Sequence, residues 1–357
     1  MEGRNRFNAG TVGEWPLQSP KTLVNVGLIG AGQIGRVHGQ NLARRIPNAR
    51  LAGIADSYLE AARALGAQTA VTEVHSDYHD LLRDPAVDAV VVATPTFMKM
   101  QVVRDAIAAR KHVFCEKPMA LTLPEADEFV RMAEGSGVKF QVGYQRRFDP
   151  SYMRMKAAVD LGEIGKMLLL RSNTRDPPQK VAGWADPKVS GGIFLDTSSH
   201  DYDVIRWLSG SEAVSVVADG VATAYPELRG LGDQDTTMTI IRLANGALAH
   251  VDACRVSVYG YDIRAEVIGT EGAAFMDIGR SSEAHVMKKS WESNEFSYWY
   301  TQRFDEAYRA ELEGFADSII KDVAPRVTAR DGRAAVEIGL AARRAMEEGR
   351  SVQLPLG

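Results

Sequence analysis

Lys117 sits in Phe114-Cys115-Glu116-Lys117-Pro118, where a basic side chain follows a short apolar run and precedes a proline. His112 to Cys115 reads as a strand, and Pro118 has no N–H to give a ladder, so the strand stops there. Lys117 is thereby placed at the carboxyl end of a strand, the side on which open α/β sheets hold ligands. A lysine at such a mouth can form a salt bridge, contact a phosphate or act in acid–base chemistry; alone, the segment favours the salt bridge. A second pair lies further on, in Ser190-Gly191-Gly192-Ile193-Phe194-Leu195-Asp196-Thr197-Ser198-Ser199-His200. Asp196 and His200 are four residues apart, so on one helical turn they share a face. Each has an ordinary reading as well, Asp196 as a helix N-cap and His200 as a surface or core histidine. The Gly191-Gly192 step permits close backbone approach to a ligand and favours the chemical reading.

The third constellation is Gly30-Ala31-Gly32-Gln33-Ile34-Gly35, entered from the β-rich run Val24 to Ile29. A GxGxxG between strand and helix assigns the tight turn to Gly30, approach of a pyrophosphate to Gly32 and close helix packing to Gly35. The next strand, Leu51 to Ala55, ends in Asp56, 21 residues beyond Gly35, about where a carboxylate binds the adenosine ribose hydroxyls. Asp56 would repel a 2′-phosphate, and Ser57-Tyr58-Leu59 offers no arginine to accept one, so NAD is expected rather than NADP. As a local alternative, Asp56 can cap a helix over Leu59 to Leu65.

The elements that must carry these residues alternate. Asp88 to Ala93 reads as a buried strand halted by Thr94-Pro95, Val102 to Arg110 as a helix, and Pro124 to Glu134 as another. Val138 to Tyr144 reads as one more strand, and the alternation means a parallel, doubly wound sheet. After Tyr144 the pattern changes. Ser151 to Leu161 reads as a helix, Met167 to Leu170 as a strand, Ser172 to Val189 as a polar connection, and Val204 to Leu208 as helix. From Ala213 onward strands follow closely: Thr237–Leu243 and Ala247–Ala253 around an Asn245-Gly246 hairpin, then Arg264–Ile268, Ala273–Met276 and His285–Lys288. Such spacing leaves no room for crossovers, so the second sheet is expected to be mostly antiparallel. Helices return at Phe304–Lys321 and Gly332–Glu348. The segments Ser151–Leu161 and Val204–Leu208 are expected on one face of that sheet, with self-association covering the other. The fold class is therefore α/β plus α+β: a Rossmann-type domain over 22–145, a domain over 146–357 with a large open sheet, and an N-terminal arm over 1–21.

Composition narrows the function. The 357 residues are 45% hydrophobic and 25% charged, with a net charge of −4 and both signs interspersed, so no nucleic-acid or anionic membrane partner is expected. No apolar run reaches the roughly 18 residues of a spanning helix. Cys115 and Cys254 are the only cysteines, which suits a reducing cytoplasm. His75, Asp77 and His79 read as a solvated polar loop rather than a metal site, and no metal is expected.

With these residues assembled, the chain resembles the glucose-fructose oxidoreductase and inositol dehydrogenase (Gfo/Idh/MocA) family, the inositol 2-dehydrogenase branch in particular. The resemblance covers about 22 to 350 and is carried by VGLIGAGQIGRVH, VFCEKPMA, VGYQRRFDPSY, SNTRDPP, GGIFLDTSSHDYDVIRWL and YGYDIRAEVIGTEG. It implies NAD-dependent oxidation of a polyol or sugar hydroxyl, with Lys117, Asp196 and His200 as the catalytic set. It also implies an oligomer, often a tetramer, built through the second sheet. Arg147, Asp176 and Tyr261 are matched by resemblance as substrate contacts, alongside Lys117, Asp196 and His200. Cofactor contacts are expected from Gly30, Gly32, Gln33, Ile34 and Gly35, from Asp56, and from Thr94, Pro95, Glu116 and Lys117. Two departures stand out: Thr96-Phe97-Met98-Lys99 carries no histidine where the family commonly has one, and Thr197-Ser198-Ser199 replaces bulkier residues.

These expectations assign His200 as base, Lys117 as stabiliser of the developing alkoxide and Asp196 as the group that orients His200 or a substrate hydroxyl. A pocket for a polyol should present several fixed polar groups. The expected substrate is thus a cyclic polyol, myo- or scyllo-inositol, with a pyranose or anhydrosugar second. A non-catalytic NAD-binding regulator ranks lower, because it has no need of a base.

Overall fold

The computed structural model describes residues 22–181, 185–280, 286–289, 291–293 and 295–357. The expected N-terminal arm and the first residue of the strand expected at His285 lie outside the described residues.

Apolar runs form the first sheet: β1 (Val24–Ile29), β2 (Ala49–Ala55), β3 (Val74–His75), β4 (Ala89–Val92), β5 (His112–Glu116) and β6 (Phe140–Gly143). Between them run α1 (Gln33–Arg44), α2 (Leu59–Thr69), α3 (His79–Arg83), α4 (Thr96–Ala108) and α5 (Leu123–Ser136). All pairings are parallel, in the order β3-β2-β1-β4-β5-β6. β4 is buried at every position, as a strand covered on both faces must be. The order reverses between β1 and β4, which opens a crevice beyond their carboxyl ends. α4 begins at Thr96, earlier than the expected Val102, because Pro95 serves as its N-cap and Lys99 turns inward, a burial that apolar spacing cannot announce.

A 3₁₀ turn (Gln145–Phe148) leads into α6 (Pro150–Asp160), capped by the Asp149 carboxylate, which accepts from Ser151 N and Tyr152 N. Then come β7 (Met167–Arg175), α7 (Pro187–Ser190), a π-helical turn (Ile193–Thr197), α8 (Ser199–Ser209), β8 (Ala213–Val221) and α9 (Leu228–Leu231). The strands β9 (Thr236–Leu243), β10 (Leu248–Cys254), β11 (Asp262–Gly269) and β12 (Ala273–Met276) follow. A small hairpin of β13 (Val286–Lys288) and β14 (Trp291–Ser293) precedes α10 (Tyr300–Arg303), α11 (Asp305–Ile320), α12 (Ala329–Glu348) and β15 (Val352–Gln353).

The second sheet runs β12-β11-β7-β10-β9-β8-β15, antiparallel throughout except for β7 with β10. The Asn245-Gly246 step forms its expected hairpin, with Gly246 at φ +90°. β7 is longer than read from sequence. Its second half is polar yet buried, because the Ser172 and Thr174 hydroxyls both donate to Asp201 on α8 and Asn173 donates to the Asp262 carbonyl. α6 and α8 pack on one face as expected, joined by α12, which the sequence reading left unplaced. On the other face Met238, Ile240, Leu248 and Phe275 remain exposed.

The chain crosses back to the first domain through α11 and α12, the latter packing on α5. α11 lies against the first sheet, where Leu312, Phe315 and Ala316 join Leu28, Ile54 and Phe114, and the Phe114 and Phe315 rings meet edge to face at 5.9 Å. Among the described residues no helix is long and apolar enough to cross a membrane.

Candidate active site

The crevice between the sheets holds a cleft of about 530 Å³, the size of a small-molecule site. Gly32, Gln33, Ile34, Thr94 and Pro95 line one end; Asp176, Asp196, His200, Arg255 and Tyr261 line the other; Glu116 and Lys117 lie between.

At the first end each glycine has its own reason. Gly30 has φ +103°, and a Cβ there would stand 2.6 Å from the Ala93 carbonyl oxygen. A Cβ on Gly35 would meet the Gly30 oxygen at 2.0 Å, so α1 packs on the turn only with hydrogen at that position. Around Gly32, by contrast, nothing lies within 4 Å, which leaves the open backbone approach a pyrophosphate needs. Asp56 closes β2 beside this turn; its Oδ2 accepts from Ala31 N at 2.7 Å and its Oδ1 from Tyr58 N at 2.8 Å. It is not the cap of α2, whose N-cap is Tyr58. The turn and its open face fit a dinucleotide.

Lys117 leaves the end of β5 and enters the cleft. Its Nζ donates to the Asp196 carbonyl at 2.8 Å and to Asp196 Oδ1 at 3.3 Å. Glu116 contributes backbone to the cleft, but its carboxylate turns back, accepting from Lys117 N at 3.0 Å and pairing with His38 Nε2 at 2.6 Å. Burial alone would raise the Glu116 pKa, but His38, Lys99 and Lys117 hold it below the usual range. Glu311 of α11 completes a buried group with donor atoms within 4.8 Å of one another, a spacing a metal ion could use. Burial, with the Glu116 charge adding, pushes Glu311 well above the ordinary carboxyl range.

Asp196 lies in the π-helical turn and His200 in the first turn of α8, and both face the cleft. Asp196 bonds to Lys117 and approaches Arg255 Nη2 at 3.9 Å; no hydrogen bond joins it to His200 among the described residues. The Gly191-Gly192 step serves the fold rather than a ligand. Both residues have positive φ, and a Cβ on Gly192 would meet Asp233 Oδ1 at 2.7 Å, the carboxylate that accepts from Ile193 N. Asp233 also holds Arg255 Nη1 at 2.5 Å, which aims Arg255 along the cleft wall. Burial, then the Lys117 and Arg146 charges, push the His200 pKa well below its ordinary value, and its Nδ1 finds no hydrogen-bond partner among the described residues. Asp176 is pushed up to about 6 by burial and by Asp196.

Of the residues matched as substrate contacts, Asp176 and Tyr261 reach the cleft and Arg147 does not. Arg147 forks onto Asp203, with Nε to Oδ2 at 2.8 Å and Nη2 to Oδ1 at 2.5 Å, and Nη2 adds Asp331 at 2.9 Å. Its planar donor set is taken up by two carboxylates that tie α8 to α12. Asp149 pairs with Arg303. The adjacent Arg146 is buried on Asp201 and Thr174, beneath the cleft.

Sequence reasoning missed Thr174, Gln179, Thr197, Arg255, Trp299, Tyr300 and Tyr308, all on the cleft wall. Only Arg255 carried a local signal, a charge at the end of a strand; the three aromatics come from α10, α11 and the loop before them. His75 and His79 do not share a loop: His75 ends β3 and His79 opens α3, away from the cleft, with His79 bonded to Asp77 at 2.6 Å.

Residues 24–144 match the family model described as an oxidoreductase family with an NAD-binding Rossmann fold, and residues 156–354 match that family's C-terminal alpha/beta domain. The chain is 36% identical over 332 residues to the myo-inositol 2-dehydrogenase of Thermotoga maritima, covering 93% of this chain and 98% of that one. It is 37% identical to the scyllo-inositol 2-dehydrogenase (NAD(+)) of Bacillus subtilis, over 93% and 96% of the two chains. The crystal structure of scyllo-inositol dehydrogenase from Lactobacillus casei, with bound NAD(H) and scyllo-inositol, superposes with a TM-score of 0.88 at 32% identity, over 93% of this chain and 99% of that one. With both domain models matched and these relatives aligned almost end to end, the chain belongs to the Gfo/Idh/MocA family of oxidoreductases.

Proposed function

We propose that the protein is an NAD-dependent dehydrogenase that oxidises a secondary hydroxyl of a cyclic polyol, myo- or scyllo-inositol, to the ketone. The observation that carries the reading is the convergence of Lys117, Asp196 and His200 on one cleft that continues to the open face of Gly32. NAD bound at the glycine turn supplies the hydride acceptor. Gly32, Gln33, Ile34, Thr94 and Pro95 would hold it, with Asp56 at the ribose. His200, kept neutral by burial and nearby cations, takes the hydroxyl proton. The Lys117 ammonium bonds the reacting oxygen and stabilises alkoxide charge as it develops. Asp196 holds Lys117 in place, a role the geometry favours over orienting His200. Asp176, Arg255 and Tyr261 supply the fixed polar groups that a ring of hydroxyls requires.

We also propose a working division into 22–145 and 146–357, a homo-oligomer formed through the exposed face of the second sheet, and a cytoplasmic location, the last on two free thiols. The test of substrate is NADH formation with myo-inositol, scyllo-inositol, aldopyranoses, anhydrosugars and a plain secondary alcohol. An inositol is expected to give the highest kcat/KM and the plain alcohol none, because unpaired buried polar groups penalise a substrate lacking hydroxyls. A best rate on the plain alcohol would overturn the reading; a best rate on a pyranose would keep the mechanism and change the substrate.

A further inference from the structure

Lys99 lies in the first turn of α4 and is 2% exposed. A buried ammonium must find partners for three N–H groups. Lys99 finds all three on consecutive backbone carbonyls, Glu116 at 2.7 Å, Lys117 at 3.0 Å and Pro118 at 2.8 Å. These carbonyls lie at the end of β5, where its ladder with β6 stops at Glu116, so Lys99 takes over where the sheet ceases to hold the backbone. The same stretch presents the Lys117 side chain to the cleft, and Thr94 and Pro95, just before α4, line its cofactor end.

We propose that Lys99 is the positioning residue of Lys117: by gripping the Glu116–Pro118 backbone it sets the line along which the Lys117 ammonium reaches Asp196 and the reacting oxygen. The proposal rests on Lys117 acting in the reaction given above. It makes α4 one rigid part that registers the cofactor end of the cleft against the catalytic lysine. Burial lowers the Lys99 pKa to about 8, which fits an ammonium held by backbone oxygens in place of water.

Lys99→Met keeps the length of the side chain and removes its donors; Lys99→Gln, which keeps two N–H groups, is the milder variant should the first fail to fold. Val251→Ala, in the core of the second sheet and outside the cleft, serves as a control for general loss of stability. Hydrogen exchange of residues 112–121, NAD affinity by fluorescence, and kcat and KM on the polyol the wild type oxidises are measured for each. Exchange in the turn is expected to rise about tenfold or more in Lys99→Met, with NAD affinity within about threefold of wild type. Its kcat is expected to fall about 10²-fold with KM little changed, the mark of a misplaced transition-state group. Lys99→Gln should fall between, and Val251→Ala should keep kcat at whatever Tm it shows. Near-wild-type kcat or unchanged turn exchange in Lys99→Met would overturn the proposal, as would an equal loss of kcat in Val251→Ala. A wild type inactive on every polyol would point to failure of the substrate reading instead. The exchange data and the rate of Lys117 modification by an amine reagent, expected to change in Lys99→Met, would then decide the positioning role alone.

Discussion

Burial, with Lys117 and Arg146 nearby, pushes the His200 pKa well below the usual imidazole value, which supports the base role proposed for it. His200→Ala and Lys117→Met are each expected to lower kcat about 10²- to 10⁴-fold, with NAD binding retained in a fluorescence titration. Near-full kcat in either variant would remove that residue from the mechanism. A second residue-scale test concerns Glu311, whose pKa burial and Glu116 raise in the folded protein. A carboxyl with a raised folded pKa gives its full stabilisation below the unfolded value of about 4.3 and loses it as pH rises through the folded value. Glu311→Gln keeps the neutral shape and removes that dependence. Its Tm relative to wild type should therefore increase as pH rises from about 5 to 8, and a constant offset would show that Glu311 is not held neutral.

The turn from β1 into α1 separates the two uses of glycine. A Cβ on Gly35 meets a backbone oxygen at 2.0 Å, so Gly35→Ala must push α1 off the turn and is expected to cost about 1–3 kcal/mol in thermal or urea unfolding. A Cβ on Gly32 meets nothing within 4 Å. Gly32→Ala should therefore match the wild-type Tm without ligand and lose about tenfold or more in NAD affinity, because the methyl takes the space kept for the pyrophosphate. Wild-type NAD affinity in Gly32→Ala would mean that the phosphates pass elsewhere. A third element, α11, shows how far apart in sequence two halves of one packing surface can lie: Phe315 completes the apolar layer over Phe114.

For the whole molecule the open question is the uncovered face of the second sheet. Met238 and Ile240 of β9 and Leu248 of β10 are 59%, 53% and 40% exposed on adjacent strands, and Phe275 of the edge strand β12 is 68% exposed on the same sheet; exposed apolar side chains of this kind mark interaction surfaces. If a second copy covers it, the paired variant Ile240→Asp with Phe275→Asp should elute at the mass of one chain in light scattering while its thermal unfolding stays cooperative. A monomeric wild type would dismiss the oligomer.

Local rules carried the first half of the chain well, because a parallel strand, a glycine turn and an acidic residue at the next strand's end are all written in contiguous residues. Asp56, the three glycines and Lys117 were legible for that reason, and Asp196 with His200 through their spacing. Arg147 was not: a guanidinium can face a ligand or a carboxylate, and only the approach of α8 and α12 put Asp203 and Asp331 within its reach. Lys99 failed the other way, since burial of a lysine depends on three carbonyls that come close only when α4 lies against the end of β5. Arg255, Trp299, Tyr300 and Tyr308 reach the cleft from elements over 130 residues distant from Lys117 in sequence. Sequence by itself determined the secondary structure that short-range patterning encodes and which residue types were available for chemistry. The tertiary structure alone decided which of them share one cleft, because that depends on contacts between segments far apart along the chain.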